Sequence, residues 1–370
     1  MTIAADESPV RWSMDGSILV VTIDNPPVNA LGLTVRAGLM DAIEVLGQTS
    51  TLHGMVLRST GSVFIGGADI REFTGPRREP LLRAVCDRLE ASTKPIVAAM
   101  HGAALGGGFE IALATHYRVA APAVEVAFPE VLLGLLPGAG GTQRAPRLCG
   151  AALALDMMLT GRRVPAADAI AAGLIDAMST DPFDAAMQWV RQQAAAPTTP
   201  RRSCDGQALR DIASQQASIT AARSRLSEAY PDLAAPPQIL ACVEAAINRP
   251  FHEGLAVESA AFLHCLASPQ RAALVHLFFA ERDVRASVAA GVDLPALGAA
   301  LAASVPPGVT SASEVGCAAM AEAGRALLAS GAARAAIDID VASVRHAGFP
   351  RHRGGVLYDA TQREALHHAP

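Results

Sequence analysis

Apolar residues follow two rhythms along this chain. The run Ile18–Ile23 (ILVVTI) is short, β-branched and unbroken, which predicts a buried strand, and Asn25-Pro26-Pro27 ends it. Leu33–Leu46 then spaces its apolar positions at helical intervals. Gly54–Leu57 and Ile96–Met100 are further strand candidates, the second following Pro95 and running into a glycine cluster. Strands alternating with helices predict an α/β core. Past about Met178 strand-like runs become rare, and long Ala/Leu/Arg stretches of helical period take over. Pro197, Pro200, Pro236, Pro237 and Pro295 punctuate this half, and helical signals extend from Leu297 to Ala336 with a break at Pro306-Pro307. The change of rhythm places a boundary near residue 190.

At 370 residues the chain exceeds the usual size of one domain, and 51% apolar against 18% charged residues is a globular composition. A net charge of −5 provides no clustered basic face, so nucleic acid is set aside as a partner. The six cysteines, Cys86, Cys149, Cys204, Cys242, Cys265 and Cys317, are scattered without a CxxC pair or a zinc-like His/Cys spacing. Free thiols in a reducing, cytoplasmic setting and no metal site are the expectation. The apolar stretch Ser287–Val309 is broken by Asp293, Pro295 and Pro306, and the acidic Asp6 and Glu7 carry no basic-then-apolar signal, so no membrane span is expected.

Candidate chemistry gathers at two glycine clusters, Gly66-Gly67-Ala68-Asp69-Ile70 and Gly106-Gly107-Gly108-Phe109-Glu110, each between a strand-like and a helix-like run. Glycine there lets backbone N–H groups approach a ligand closely. Neither cluster fits the phosphate loop GxxxxGK[ST], and no GxGxxG follows a strand, so a nucleotide-dependent reaction is not expected. A helix opening at the second cluster would aim free N–H groups and its positive dipole end at a developing negative oxygen, the logic of an oxyanion hole. Glu110 follows that cluster, and Glu130 lies in Phe128-Pro129-Glu130-Val131. Two carboxylates beside such a hole can hold and deprotonate a water and return a proton. His101 and His116 flank the second cluster and are read as packed residues, and His367-His368 as a solvated tail.

Pro27-Val28-Asn29-Ala30-Leu31, Gly66–Ile70, His101–Glu110 and Phe128–Arg144 (FPEVLLGLLPGAGGTQR) resemble, in order, the signature blocks of the crotonase, or enoyl-CoA hydratase/isomerase, superfamily. The resemblance covers about residues 10 to 190. It implies a crotonase-like ββα spiral core followed by an all-helical C-terminal extension. It also implies an oxyanion hole from the N–H groups of Ala68 and Gly107, catalysis by Glu110 and Glu130, and a substrate site lined by Gly66, Gly67, Asp69, Ile70, Gly106, Pro129 and Gly138. Pro250–Glu258 (PFHEGLAVE) and Ser268–Arg282 (SPQRAALVHLFFAER) are similar to the linker of multifunctional fatty-acid oxidation enzymes, where this helix covers the hydratase site. That likeness adds Phe278 to the expected substrate-binding residues.

Those enzymes continue into a dinucleotide-binding dehydrogenase domain. Here the chain passes directly to Leu297–Asp340 and to Gly348–Gly355 (GFPRHRGG), which resemble part of the helical C-terminal half of that dehydrogenase. The expected organisation is therefore a hydratase core over residues 1–190, a helical linker packing on it over 191–285, and a helical packing element over 286–370. The expected activity is hydration of 2-enoyl-CoA to 3-hydroxyacyl-CoA, with coenzyme A as part of the substrate, no nicotinamide cofactor, and a homo-oligomer or a smaller assembly. Double-bond isomerisation at the same site, or a non-catalytic acyl-CoA-binding or assembly subunit, are the alternatives.

Overall fold

The computed structural model describes residues 8–195, 199–229 and 232–367. Nine strands occur among them: β1 (Val10–Asp15), β2 (Ile18–Ile23), β3 (Gly54–Ser59), β4 (Ile96–Met100), β5 (Ala103–Leu105), β6 (Tyr117–Ala120), β7 (Glu125–Ala127), β8 (Val164–Pro165) and β9 (Ala177–Met178). The larger sheet has the order β1-β2-β3-β4-β6-β9, antiparallel at β1-β2 and parallel from β2 onward. A smaller sheet pairs β7 with β5 in parallel and with β8 antiparallel. The parallel steps from β2 to β6 need crossovers, which the helices Leu33–Gln48, Leu82–Glu90 and Gly107–Ala114 supply.

Alternation along β2 explains why its sequence is apolar throughout. Ile18 and Val20 point to the face covered by the helix Pro182–Ala195, where Val56, Val97, Ala99 and Val119 meet Ala186, Met187 and Val190. Leu19, Val21 and Ile23 take the opposite face and are fully buried as well. A strand buried on both sides loses the period-two signal and reads as a continuous run. The covering helix sits so close that a Cβ on Gly54 would lie 2.5 Å from Val190 Cγ1. Edge strand β1 (VRWSMD), with only Val10 buried, is the strand that hydrophobic pattern does not reveal.

The described residues within Met1–Val131, Leu136–Pro231 and Ala235–His264 form one compact unit. Those within Leu132–Leu135, Asp232–Ala234 and Cys265–Pro370 form a second, so the stretch read as a linker, 191–285, is divided between the two. The second unit is helical. Its helices Pro269–Ala289, Leu294–Ser304, Glu314–Ala329, Ala336–His346 and Val356–His367 surround a core that includes Leu277, Leu301, Met320, Ile339, Val341 and Phe349. Asp340 ties this core together by accepting from the N–H groups of Leu357 and Tyr358 and from His276, which stacks on Tyr358. No single helix among the described residues is long and apolar enough to cross a membrane.

Phe278 lies on the outer face of the helix Pro269–Ala289. It is 43% exposed, edge-to-face with Phe279, because Leu274, Leu277 and Val284 occupy the buried stripe of its helix. Leu277→Ala should therefore destabilise the protein by about 2 to 5 kcal/mol, whereas Phe278→Ala should stay within about 0.5 kcal/mol of wild type. Urea unfolding of the full chain checks both, and a larger loss for Phe278→Ala would overturn this packing.

Candidate active site

The loop into the first glycine cluster is pinned by Asn29, whose backbone sits in the left-handed region at φ 53°. Its side-chain amide donates to the carbonyls of Thr60 and Val63, both at 2.8 Å, and its carbonyl accepts from the Asn25 N–H. Gly66 donates its N–H to the Val28 carbonyl, and a Cβ there would meet that oxygen at 2.9 Å. Asp69 caps the 3₁₀ helix Ile70–Thr74 through the Arg71 N–H and pairs with the Arg71 guanidinium. Asp69 and Ile70 are partly buried at the edge of this loop.

The second cluster turns β5 into the helix Gly107–Ala114. Gly106 has φ 51°, and a Cβ on it would lie 2.7 Å from Glu130 Oε1, so glycine is required by conformation and by space together. Gly107 opens the helix, leaving its N–H without an intrahelical acceptor. The position a Cβ would take on Gly107 is 3.3 Å from the Ala68 nitrogen, so two residues 39 apart in sequence numbering bring the glycine clusters to one point.

Glu110 is buried in the first turn of that helix. Its Oε1 accepts from the N–H groups of Ala139 at 2.7 Å and Gly141 at 2.8 Å. Burial pushes its carboxyl above the usual range, and those two N–H donors and Arg144 pull it back. Glu130 follows Pro129 in the 3₁₀ helix Pro129–Leu133, and its Oε2 is buried without a hydrogen-bond partner. Burial, reinforced by the charge of Glu110 and, less strongly, of Glu258, holds the Glu130 carboxyl well above the carboxylate range. Gly138 precedes the amides that hold Glu110 and packs on Phe262, whose ring a Cβ at 138 would meet at 2.5 Å.

A third carboxylate, Glu258, joins the group from the helix Phe251–Ala267 and is fully buried. Its Oε1 accepts from the Gly140 N–H at 2.7 Å, and its Oε2 accepts from the Thr142 N–H at 3.0 Å and the Thr142 hydroxyl at 2.6 Å. Burial and the Glu110 charge push it up to about 8. Arg144 is the cationic counterweight: fully buried, it pairs with Glu90 at 2.9 Å and Asp87 at 3.1 Å and donates to the Ala139 carbonyl. Sequence reasoning quoted Glu258 and Arg144 inside blocks without giving either a chemical part. The acid that closes PFHEGLAVE was the available signal, but nothing local pairs it with Glu110.

His101 bonds to the Gly61 carbonyl. His116 accepts the Ile96 N–H, and burial lowers it to about 4, which keeps the imidazole neutral beneath the sheet.

Because folded Glu130 retains its proton to higher pH than unfolded Glu130, folding takes up a proton above the ordinary carboxylate range. The stability this contributes is full at acid pH and is lost as pH rises through the raised folded value. Glu130→Gln should therefore lose less stability than wild type between pH 5 and pH 9, with a melting temperature that exceeds wild type increasingly toward alkaline pH. Thermal melts across that range check it, and a constant difference would refute it.

The profile of the family described as enoyl-CoA hydratase/isomerase matches residues 13–235, more than half of the chain. The peroxisomal bifunctional enzyme of Homo sapiens is 35% identical over 271 residues, covering 73% of this chain and 37% of that protein. The fatty acid oxidation complex subunit alpha of Shewanella baltica is 34% identical over 291 residues, covering 73% of this chain and 41% of that one. The chain thus spans well under half the length of these relatives. In fold it resembles an enoyl-CoA hydratase/isomerase from Pseudoalteromonas atlantica T6c, with TM-score 0.54 and 23% identity over 73% of this chain and 96% of that one. With the match running through both glycine clusters and both acids of the site, the chain belongs to the enoyl-CoA hydratase/isomerase family.

Proposed function

We propose that this chain hydrates 2-enoyl-CoA thioesters to 3-hydroxyacyl-CoA at the site built by Ala68, Gly107, Glu110 and Glu130. The observation that carries this reading is the inequality of the two acids. Glu110 has one oxygen held by two N–H donors, which favours the carboxylate, whereas Glu130 has a buried oxygen with no donor, which favours the acid. A base and an acid side by side are what addition of water requires.

In this mechanism the thioester oxygen lies between the N–H groups of Ala68 and Gly107, which draw electron density from the conjugated alkene. Glu110 accepts a proton from water as the water oxygen bonds to C3. The electron pair of the alkene moves toward the thioester, giving an enolate whose oxygen the two N–H groups hold. Glu130 then delivers its proton to C2, and the proton taken by Glu110 returns to Glu130 between turnovers. No metal or nicotinamide enters the reaction, and coenzyme A acts as the handle of the substrate.

Purified protein with 2-enoyl-CoAs of several lengths should remove the conjugated thioester absorbance. Glu110→Gln and Glu130→Gln should each lower the rate by ~10² to ~10⁴-fold. Near-normal turnover by both variants would sink the assignment of the acids. Titration with NAD or NADH should give no saturable binding, since no dinucleotide fingerprint follows a strand; a micromolar dissociation constant would overturn that part.

A further inference from the structure

Glu258 is the buried acid that the hydration mechanism leaves unused. We propose that it is a positioning residue of the hydration site: by binding the amides of Gly140 and Thr142, it fixes the turn whose other two amides, of Ala139 and Gly141, hold Glu110. The assignment rests on the hydration reading and deepens it.

The geometry supports a positioning part rather than a passive one. Both carboxylate oxygens of Glu258 are engaged at the start of the nine-residue helix Gly141–Cys149, and the two glutamates alternate along one short stretch of backbone. The donors of Glu258, at Gly140 and Thr142, interleave with those of Glu110, at Ala139 and Gly141, so losing Glu258 frees two amides within the same turn that holds Glu110. The helix that carries Glu258 is itself closely docked: a Cβ on Gly254 would lie 2.0 Å from Gln143 Oε1, and Phe251 lies under the guanidinium groups of Arg144 and Arg147. Arg83 flanks the same helix at the Leu255 carbonyl and the Ser259 hydroxyl, one on each side of Glu258.

Charge gives the assignment a readout that a structural contact would not move. The ionisable groups around Glu258 are Glu110, Glu130, Arg83 and Arg144, with Asp87 and Glu90 bound to Arg144. Once Glu258 ionises, above about 8, its negative charge raises the pKa of Glu130 and so helps it keep the proton destined for C2. Removing that charge should let Glu130 lose its proton at lower pH.

The test compares full-length wild type and Glu258→Gln in hydration of a four-carbon 2-enoyl-CoA from pH 5.5 to 9.5, with thermal melts of both. The expected variant is folded, keeps KM within about twofold, loses about tenfold to about a hundredfold in kcat, and shows the alkaline limb of kcat/KM displaced to lower pH. If glutamine at 258 prevents folding, Thr142→Val, which removes the hydroxyl that donates to Glu258 and accepts from Gln143 Nε2 but leaves the Thr142 N–H in place, should show a kcat loss and a limb displacement of the same sign but smaller. An active wild type whose variant matches it in kcat and in the position of the limb overturns the assignment of Glu258 alone. A wild type inactive on 2-enoyl-CoAs of every length overturns the hydration reading and this assignment with it.

Discussion

Four consecutive amides at the start of the helix Gly141–Cys149 are shared in alternation between two carboxylates, and the arrangement of the site depends on that sharing. A helix N-terminus offers N–H groups without internal acceptors and a partial positive charge. Here both are used to hold buried acids that would otherwise be unaffordable so close together. Glu110 arrives from the helix after the second glycine cluster, and Glu258 from a helix far along the chain. Residues Gly138–Thr142 therefore act as the common anchor of two elements that share no local sequence.

Around that anchor the charges are nearly closed. Glu110, Glu130 and Glu258 influence one another's protonation, and Arg83 and Arg144 oppose the accumulated negative charge. Arg144 cannot shift to serve one acid alone, since Glu90, Asp87 and the Ala139 carbonyl already hold its guanidinium. A buried ion pair of this kind contributes little net stability once desolvation is counted, but it fixes geometry and sets which carboxyl carries a proton. The three acids differ in their donors, two on one oxygen of Glu110, three across Glu258 and none on Oε2 of Glu130, and burial raises all three against whatever donors they have.

Close backbone approach is the second constraint. Gly106 leaves room for Glu130, Gly107 faces the Ala68 nitrogen, and Gly108 backs onto Ile65, whose carbonyl a Cβ would meet at 2.3 Å. Three adjacent glycines thus serve three different neighbours. The scaffold behind them is the doubly buried parallel sheet: β3 leads toward the first glycine cluster, and β4, through β5 of the smaller sheet, leads into the second. The helical second unit has its own core, organised by Asp340 at the start of the helix Val356–His367.

The sequence by itself determined the α/β core, its central strands, the helical second half and the family, because these rest on local signals. Ile18–Ile23 and Ile96–Met100 are read directly from apolar runs that must be buried on both faces, and the glycine clusters from spacing between strand and helix. It also named Glu110 and Glu130, since each lies within a short block. Only the tertiary structure decided which faces of the long helices are buried, so that Leu277 lies inside and Phe278 outside in a segment where both are equally apolar. It alone decided that edge strand β1, mostly polar and exposed, joins the sheet. The place of Glu258 was beyond local reading for a similar reason. Its partners, Gly140 and Thr142, are more than a hundred residues away, and what makes a buried carboxylate tolerable is the set of donors that folding brings to it, which no spacing along the chain records.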